Sequence, residues 1–117
     1  MPDSLDPLHR LMSTLQERVQ SRPAASYTTK LIDGGPAKIG AKIEEEAREL
    51  IEAASEAGDQ GRAHFVYEAG DLFYHLFVLL AWRGVSLEEV ATELERREGT
   101  SGLAEKASRV TNSKPNP

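Results

Sequence analysis

The sequence predicts an all-α protein, and three observations support this prediction. Apolar residues recur at helical spacing in four segments, and short breaks that contain glycine or proline separate these segments. No segment alternates apolar and polar residues between hairpin turns, which a half-buried strand would do. With 117 residues, we expect one domain over residues 1–110 and a disordered polar tail over residues 111–117.

The first predicted helix begins at Asp6 and Pro7, which form a typical cap and first turn, and ends before Pro23. Its apolar residues at helical spacing are Leu8, Leu11, Met12, Leu15 and Val19. The segment 22–36 contains two prolines, two glycines and several hydroxyl side chains. This composition is typical of an ordered loop.

The second predicted helix covers residues 37–57 and the third covers residues 62–83, with a glycine-containing break at residues 58–61 between them. The apolar stripe of the second helix consists of Ile39, Ile43, Ala47, Leu50, Ile51 and Ala54. Ser86 and Glu89 predict a capping box at the start of a fourth helix. We therefore expect four to five helices packed as a bundle.

Composition excludes several classes of function. The chain has no cysteine, so it has no disulfide, thiolate metal site or cysteine nucleophile. Its net charge of −5 argues against binding to a nucleic-acid polymer or an anionic membrane. The longest nearly apolar stretch, residues 72–82, is about half as long as a membrane helix. No basic, apolar leader precedes the first helix, so we expect a cytoplasmic protein.

The third helix carries two carboxylates in otherwise apolar surroundings. Glu68 and Asp71 are three residues apart, and helical angles place them on one strip with His75. Apolar residues surround this helix almost completely, which is typical of a buried helix, and carboxylates are almost never buried without a partner. One candidate partner is a metal ion, and the alternative is a structural pair with Arg96 or Arg97.

The second helix carries a matching pair. Glu46 lies at the edge of the apolar stripe and Glu49 follows three residues later, whereas Glu45 points towards water. The alternative for this pair is a surface position with Lys42 and Arg48 as partners.

Antiparallel packing of the second and third helices would bring the two carboxylate pairs face to face. All-oxygen ligation suits Mg²⁺ or Mn²⁺. Such a site favours hydrolytic phosphoryl transfer, most simply the cleavage of a phosphoanhydride. The candidate substrate contacts are Arg22, Tyr27, Lys38, Lys42, His75, Arg97, Ser101, Lys106 and Arg109.

Four segments of the chain resemble the phosphoribosyl-ATP pyrophosphatase family of histidine biosynthesis, within the all-α MazG-type nucleotide pyrophosphohydrolases. They are RPAASYT (22–28), GGPAKIGAKIEEEAREL (34–50), EAGDLFYHLFVLL (68–80) and RREGTSGLAEKASR (96–109). The resemblance implies hydrolysis of phosphoribosyl-ATP to phosphoribosyl-AMP and pyrophosphate with Mg²⁺, in a homodimer. It implies a metal-ligand set of Glu46, Glu49, Glu68 and Asp71, with Glu45 as a further ligand or as the base that orients water.

Two other functions stay open from the sequence. One keeps the chemistry but changes the substrate to a canonical or modified nucleoside triphosphate, as in house-cleaning pyrophosphohydrolases. The other is a helical dimerisation or regulatory module without catalysis, against which the intact set of four carboxylates argues.

Overall fold

The structure, a computed structural model, describes residues 5–99, 102 and 106–107. It confirms the predicted all-α class, because residues 5–99 contain four α-helices and no strand. The helices are α1 (Asp6–Ser21), α2 (Tyr27–Ala53), α3 (Gly58–Arg83) and α4 (Leu87–Arg96). The described residues up to Ser86 form one compact unit, and those from Leu87 onward form a second.

The predicted single domain over residues 1–110 stays a prediction, because part of this range lies outside the described residues. The predicted tail over residues 111–117 lies wholly outside them. No helix in the described part of the chain is long and apolar enough to cross a membrane.

Helix α1 confirms the first predicted helix, but its N-cap residue is Leu5, so the predicted cap at Asp6 is wrong. Asp6 and Pro7 lie in its first turn. The backbone N–H groups of this turn have no acceptor within the helix, so proline, which has no N–H, loses no hydrogen bond there. Met12 and Leu15 are buried and form its contribution to the core. The helix ends at Ser21, and Arg22 adopts a left-handed conformation with φ of 44°.

The predicted loop over residues 22–36 is wrong from residue 27 onward, because α2 already begins at Tyr27. The hydroxyl of Ser26 accepts a hydrogen bond from the backbone N–H of Thr29 at 3.3 Å, so it caps this helix. Leu31 and Ile32 are buried in the core. Burial of these two apolar side chains outweighs the nearby helix breakers.

Gly35 divides α2 into a first segment, residues 27–34, and a second segment, residues 36–53. Its φ of 70° and ψ of −166° are non-helical and belong to a region that is essentially open to glycine alone. Pro36 then lies in the first turn of the second segment, where it needs no hydrogen-bond acceptor.

The break turns the first segment back towards the second. Tyr27 and Glu46 both contact the imidazole of one histidine, His75, although a straight helix would separate residues 27 and 46 by about 28 Å. Two side chains and one ring cannot bridge that distance. The bend at Gly35 is therefore what brings the start of α2 to the middle of its second segment.

The second segment of α2 and helix α3 form the seam, the line of buried side chains where these two helices pack. Seven-residue spacing marks both sides of it, with Ile39, Glu46 and Ala53 on α2 and Gly61, Glu68 and His75 on α3. Gly61 packs against the connection between the two helices, because a Cβ added at Gly61 would lie 2.5 Å from the carbonyl oxygen of Glu56.

Two details of the predicted second and third helices are wrong. The predicted break at residues 58–61 is the first turn of α3, so only residues 54–57 separate the two helices. Ile51, assigned to the buried stripe, is 70% exposed. It precedes the buried Ala53 by two residues, which is about 200° around the helix, so it lies on the opposite face.

Helix α3 buries one face in this unit and exposes another apolar face. Phe77 and Val78 are buried, as predicted for this helix. The exposed apolar side chains of α3 are Phe65, Val66, Tyr67, Phe73, Leu76 and Trp82. Part of this face borders the α1–α3 groove, a cavity of about 370 Å³ lined by Pro7, Leu8, Leu11, Val66, Ala69, Gly70 and Phe73.

Helix α4, in the second unit, carries an ion-paired carboxylate. Glu93 accepts hydrogen bonds from Arg96 Nη2 at 2.8 Å and from Arg97 Nε at 2.9 Å. These bonds lower the pKa of the Glu93 carboxyl to about 2.

Replacing Gly35 by alanine is expected to lower the free energy of unfolding by about 1–3 kcal/mol, because alanine is strained at this φ and ψ. No atom lies within 4 Å of the added Cβ, so the cost is conformational strain and not a clash. Urea unfolding measures it. Gly40→Ala is the matched control: it also adds a Cβ in open space, but within regular helix, and is expected to stabilise by about 0.5–1 kcal/mol. Equal changes in the free energy of unfolding for Gly35→Ala and Gly40→Ala would contradict the non-helical conformation of Gly35.

The Glu93 carboxyl is expected to stay ionised until the pH falls to about 2. Because its pKa is lowered in the fold, its pairing stabilises α4 above the pKa of the unfolded chain and is lost as the pH falls through about 2. A carboxyl-carbon NMR titration measures this pKa. Arg97→Gln removes one donor and is expected to raise it; a Glu93 carboxyl that titrates at the ordinary value in the unmodified chain would contradict the ion pair.

Candidate active site

The two predicted carboxylate pairs lie along the seam. Glu46 is 7% exposed and Glu68 is 6% exposed, whereas Asp71 is half-buried and Glu49 is exposed. The alternative of a surface position is therefore wrong for Glu46. Each pair places one carboxylate in the seam and a second one beside it, three residues along the same helix.

The Glu46 carboxylate is buried and incompletely bonded. Its Oε1 atom contacts Nδ1 of His75 but has no partner of hydrogen-bond geometry among the described residues. Burial raises the pKa of Glu46, the neighbouring His75 and Lys42 oppose that rise, and the negative charge of Asp71 adds to it. A buried carboxylate oxygen without a donor is costly unless a cation lies against it.

Glu68 is in a similar position on the other helix. Burial raises the pKa of its carboxyl, and the negative charges of Glu49 and Asp71 raise it further. His64 has the opposite effect and lowers it. The four carboxylates therefore interact electrostatically across the seam, and their mutual repulsion favours a bound cation.

The donor set fits Mg²⁺ or Mn²⁺, which bind carboxylate oxygens. The fit rests on the buried, unpartnered Oε1 of Glu46 and on the electrostatic proximity of the other three carboxylates. In the described part of the chain, no group of three or more acidic or histidine side chains has converged into a formed metal cage. The predicted ligand set of Glu46, Glu49, Glu68 and Asp71 therefore stays a prediction.

His75 lies at the centre of a buried polar network. Its Nε2 is 3.0 Å from the hydroxyl of Tyr27, and its Nδ1 is 3.1 Å from the backbone carbonyl oxygen of Asp71. The ring of Tyr74 packs edge-on against the imidazole at 5.1 Å, and its hydroxyl is 2.5 Å from that of Thr28. The first segment of α2 is thus bonded to α3 beside the carboxylates.

His64 lies nearby at the more exposed end of the seam. It bonds the carboxylate of Glu56 through Nδ1 at 2.9 Å. This hydrogen bond is the largest cause of the raised pKa of His64, and the negative charges of Glu68 and Glu49 contribute as well. The raised pKa increases the tendency of His64 to carry a positive charge beside the carboxylates.

The predicted substrate contacts on α1 and α2 differ in how close they are to the carboxylates. Lys42 is near them, because its charge lowers the pKa of both Glu46 and Tyr27, and its Nζ is 3.9 Å from Glu45 Oε1. Tyr27 bonds His75, and burial raises its own pKa. Glu45 is exposed, as its helical angle predicts.

The remaining predicted contacts fall into three groups: in the first unit, in the second unit and outside the described residues. Arg22 pairs with Asp33 at 3.3 Å, and Lys38 is exposed on α2. Arg97 and Lys106 belong to the second unit, in which Arg97 bonds Glu93. Ser101 and Arg109 lie outside the described residues.

Sequence reasoning missed the roles of Thr28 and Tyr74, and it did not connect His75 to Glu46. One signal was available for the histidine: Glu68 and His75 are seven residues apart and so share a helix face with the buried Gly61. No comparable signal existed for Thr28, because its contact depends on the bend at Gly35.

The chain is similar in sequence to known proteins over most of its length. The sequence profile of the phosphoribosyl-ATP pyrophosphohydrolase family matches residues 8–98. A phosphoribosyl-ATP pyrophosphatase of Rhodopirellula baltica is 66% identical over 109 residues, which are 93% of this chain and 91% of the relative. The corresponding protein of Dechloromonas aromatica is 51% identical over 91% of this chain and 95% of its own.

A third relative, the phosphoribosyl-ATP pyrophosphatase of Rhodobacter capsulatus, is 52% identical over 87% of this chain and 96% of its own length. All three matches extend over nearly the full length of both proteins, so they are not limited to a shared motif. The matched range of the family profile contains both carboxylate pairs and the network around His75. The chain therefore belongs to the phosphoribosyl-ATP pyrophosphohydrolase family.

Proposed function

We propose that this chain hydrolyses phosphoribosyl-ATP to phosphoribosyl-AMP and pyrophosphate, the second step of histidine biosynthesis. The observation that carries this proposal is the 66% identity, over nearly the full length of both chains, to a relative named phosphoribosyl-ATP pyrophosphatase. The carboxylates of the α2–α3 seam supply the chemistry that such a reaction needs, because they fit a divalent cation.

In this proposal, Glu46, Glu49, Glu68 and Asp71 hold Mg²⁺, for which Mn²⁺ can substitute. The bound ion supplies positive charge that polarises the phosphoryl oxygens of the substrate. Glu46 and Glu68 are rigidly placed because they are buried in the helix seam. Glu49 and Asp71 are more accessible, and Glu45 beside them is a candidate base that orients the attacking water.

Positive and polar groups around the carboxylates would contact the substrate. Lys42 and Tyr27 have the best support, because both interact electrostatically with the site. The further candidates are Arg22, Lys38, Arg97, Ser101, Lys106 and Arg109. A cytoplasmic location stays a prediction.

The proposal is tested by incubating the purified protein with phosphoribosyl-ATP and Mg²⁺ and measuring pyrophosphate. Release that requires Mg²⁺ and is abolished by EDTA is expected. A panel of nucleoside triphosphates tests the alternative substrate class, and turnover of these in preference to phosphoribosyl-ATP would overturn the assignment. Absence of any hydrolysis would favour a non-catalytic helical module.

Glu68→Gln is expected to lower kcat/KM for phosphoribosyl-ATP by more than about 100-fold, because it removes a proposed metal ligand. In EDTA the same variant is expected to have a higher Tm than the unmodified chain. The reason is that a buried carboxylate facing the charges of Glu49 and Asp71 becomes neutral. Pyrophosphate release and thermal unfolding, with and without Mg²⁺, measure the two effects.

Glu52→Gln is the matched control, because it makes the same chemical change at an exposed position of α2. It is expected to leave kcat/KM within about twofold of the unmodified chain. The proposed role of Glu68 as a metal ligand would be wrong if Glu68→Gln and Glu52→Gln were equally active. It would also be wrong if Mg²⁺ raised the Tm of Glu68→Gln as much as it raises that of the unmodified chain.

We further propose a homodimer that buries the α1–α3 groove. Phe73, at its border, is 44% exposed, and Val66 is 57% exposed. Phe65 and Leu76 lie on the same side of α3 and are exposed as well, and an exposed apolar face is typical of a protein interface. A second copy of the chain is the simplest cover, since a twofold interface uses the same patch on both subunits.

Phe73→Glu is expected to shift the protein from dimer to monomer at micromolar concentration, because it buries an unpaired charge in the proposed interface. Analytical ultracentrifugation measures the mass. Ile51→Glu is the control: it alters an equally apolar but separate exposed residue on α2 and is expected to leave the dimer intact. Dissociation by Ile51→Glu but not by Phe73→Glu would move the interface to the other face.

A further inference from the structure

The imidazole of His75 connects two parts of the site that are distant in sequence. It is buried, with 6% exposure, and contacts Tyr27 from the first segment of α2 and Glu46 from the second. Tyr27 is itself half-exposed, so its position allows it to contact a substrate. Glu46 is a proposed metal ligand on the other side of the ring.

The neighbours of His75 determine where its proton lies. The two groups in contact with Nδ1 are the backbone carbonyl of Asp71 and the carboxylate of Glu46, and a carbonyl and an ionised carboxylate both accept hydrogen bonds. These contacts favour a proton on Nδ1. With the proton there, Nε2 accepts a hydrogen bond from the hydroxyl of Tyr27.

The ring itself has little freedom to rotate. Tyr74 packs edge-on against it, and Tyr74 stacks in turn on Tyr27 with ring centroids 6.5 Å apart. The hydroxyls of Tyr74 and Thr28 bond each other at 2.5 Å, which ties this packing to the start of α2. An imidazole held in this way transmits a displacement at one nitrogen to the group on the other.

We propose that His75 is a positioning residue that links Tyr27 to Glu46. It fixes the orientation of the Glu46 carboxylate for the metal, and it couples that orientation to the position of Tyr27. The proposal rests on the proposed function, because it assumes that Glu46 is a metal ligand. Groups that orient a ligating carboxylate typically contribute about 10–100-fold to metal affinity or activity.

Two conservative substitutions of His75 test its contact with Glu46 and its contact with Tyr27 separately. The amide nitrogen of asparagine replaces Nδ1 and keeps an N–H group in contact with Glu46, but asparagine is too short to reach Tyr27. Glutamine replaces Nε2 and keeps the contact with Tyr27, but it loses the N–H group in contact with Glu46. His75→Gln is therefore expected to raise the Kd for Mn²⁺ about 10–100-fold, and His75→Asn only about threefold.

The measurement is direct Mn²⁺ binding to the full chain, by electron paramagnetic resonance of the free ion, in the absence of substrate. Mg²⁺ titrations of pyrophosphate release add a second readout. His75→Gln is expected to regain most of its kcat at high Mg²⁺, which would not happen if the substitution only disrupted the fold. Equal Mn²⁺ affinities for His75→Gln and His75→Asn would overturn the positioning role.

A double-mutant cycle tests the coupling to Tyr27. Tyr27→Phe is expected to raise the Kd for Mn²⁺ about threefold in the unmodified chain and to have no effect in His75→Asn, where the link is already broken. Additive effects of the two substitutions would overturn the coupling. His9→Asn, on α1, is the matched control and is expected to leave Mn²⁺ affinity unchanged.

These outcomes distinguish the inference from the proposed function. If the unmodified chain binds Mn²⁺ and releases no pyrophosphate, the proposed reaction is wrong, while the Mn²⁺ affinities of the variants still decide the role of His75. If the chain hydrolyses phosphoribosyl-ATP but the variants bind Mn²⁺ alike, only the role of His75 is wrong. If the unmodified chain binds no Mn²⁺, the metal site and the link through His75 are both wrong.

Discussion

The burial of two carboxylates in the α2–α3 seam is the constraint on which the rest of the site depends. Glu46 and Glu68 occupy positions at seven-residue spacing that apolar side chains would otherwise fill. Burial raises the pKa of both carboxyl groups, so the fold without a cation holds them at a cost. Their surroundings are best explained by a compensating positive charge, which a divalent ion would provide.

The second requirement is the break in α2. Gly35 adopts a conformation that other residues avoid, and the chain reversal that it produces is what allows Tyr27 to reach His75. Without that reversal, the seam would still contain Glu46 and Glu68, but the first segment of α2 would not bond α3 beside them. A local backbone feature therefore determines whether a candidate substrate contact and a candidate metal ligand share one network.

Much of this fold follows from helical periodicity. The first helix, the burial of Glu68 and the contrast between Glu45 and Glu46 were predictable, because each depends on residues within a few turns of one helix. The start of α2 at Tyr27 was not predictable from the sequence. The residues that disfavour a helix there are visible in the sequence, whereas the burial that outweighs them depends on tertiary packing. The contact of His75 with Tyr27 depends on the same bend, so spacing alone could not reveal it.

The position of the carboxylates changes what the net charge of the chain implies about its ligands. A net charge of −5 opposes binding to a long polyanion, but two of the responsible carboxylates lie in the seam and two lie beside it, in an arrangement that fits a divalent cation. An ion that binds only the folded chain also stabilises it, by an amount that grows with the ion concentration relative to its Kd. Metal binding would then relieve the repulsion between the carboxylates and, in the same step, supply positive charge that can bind phosphate. Stability and substrate binding would therefore respond together to the same ion.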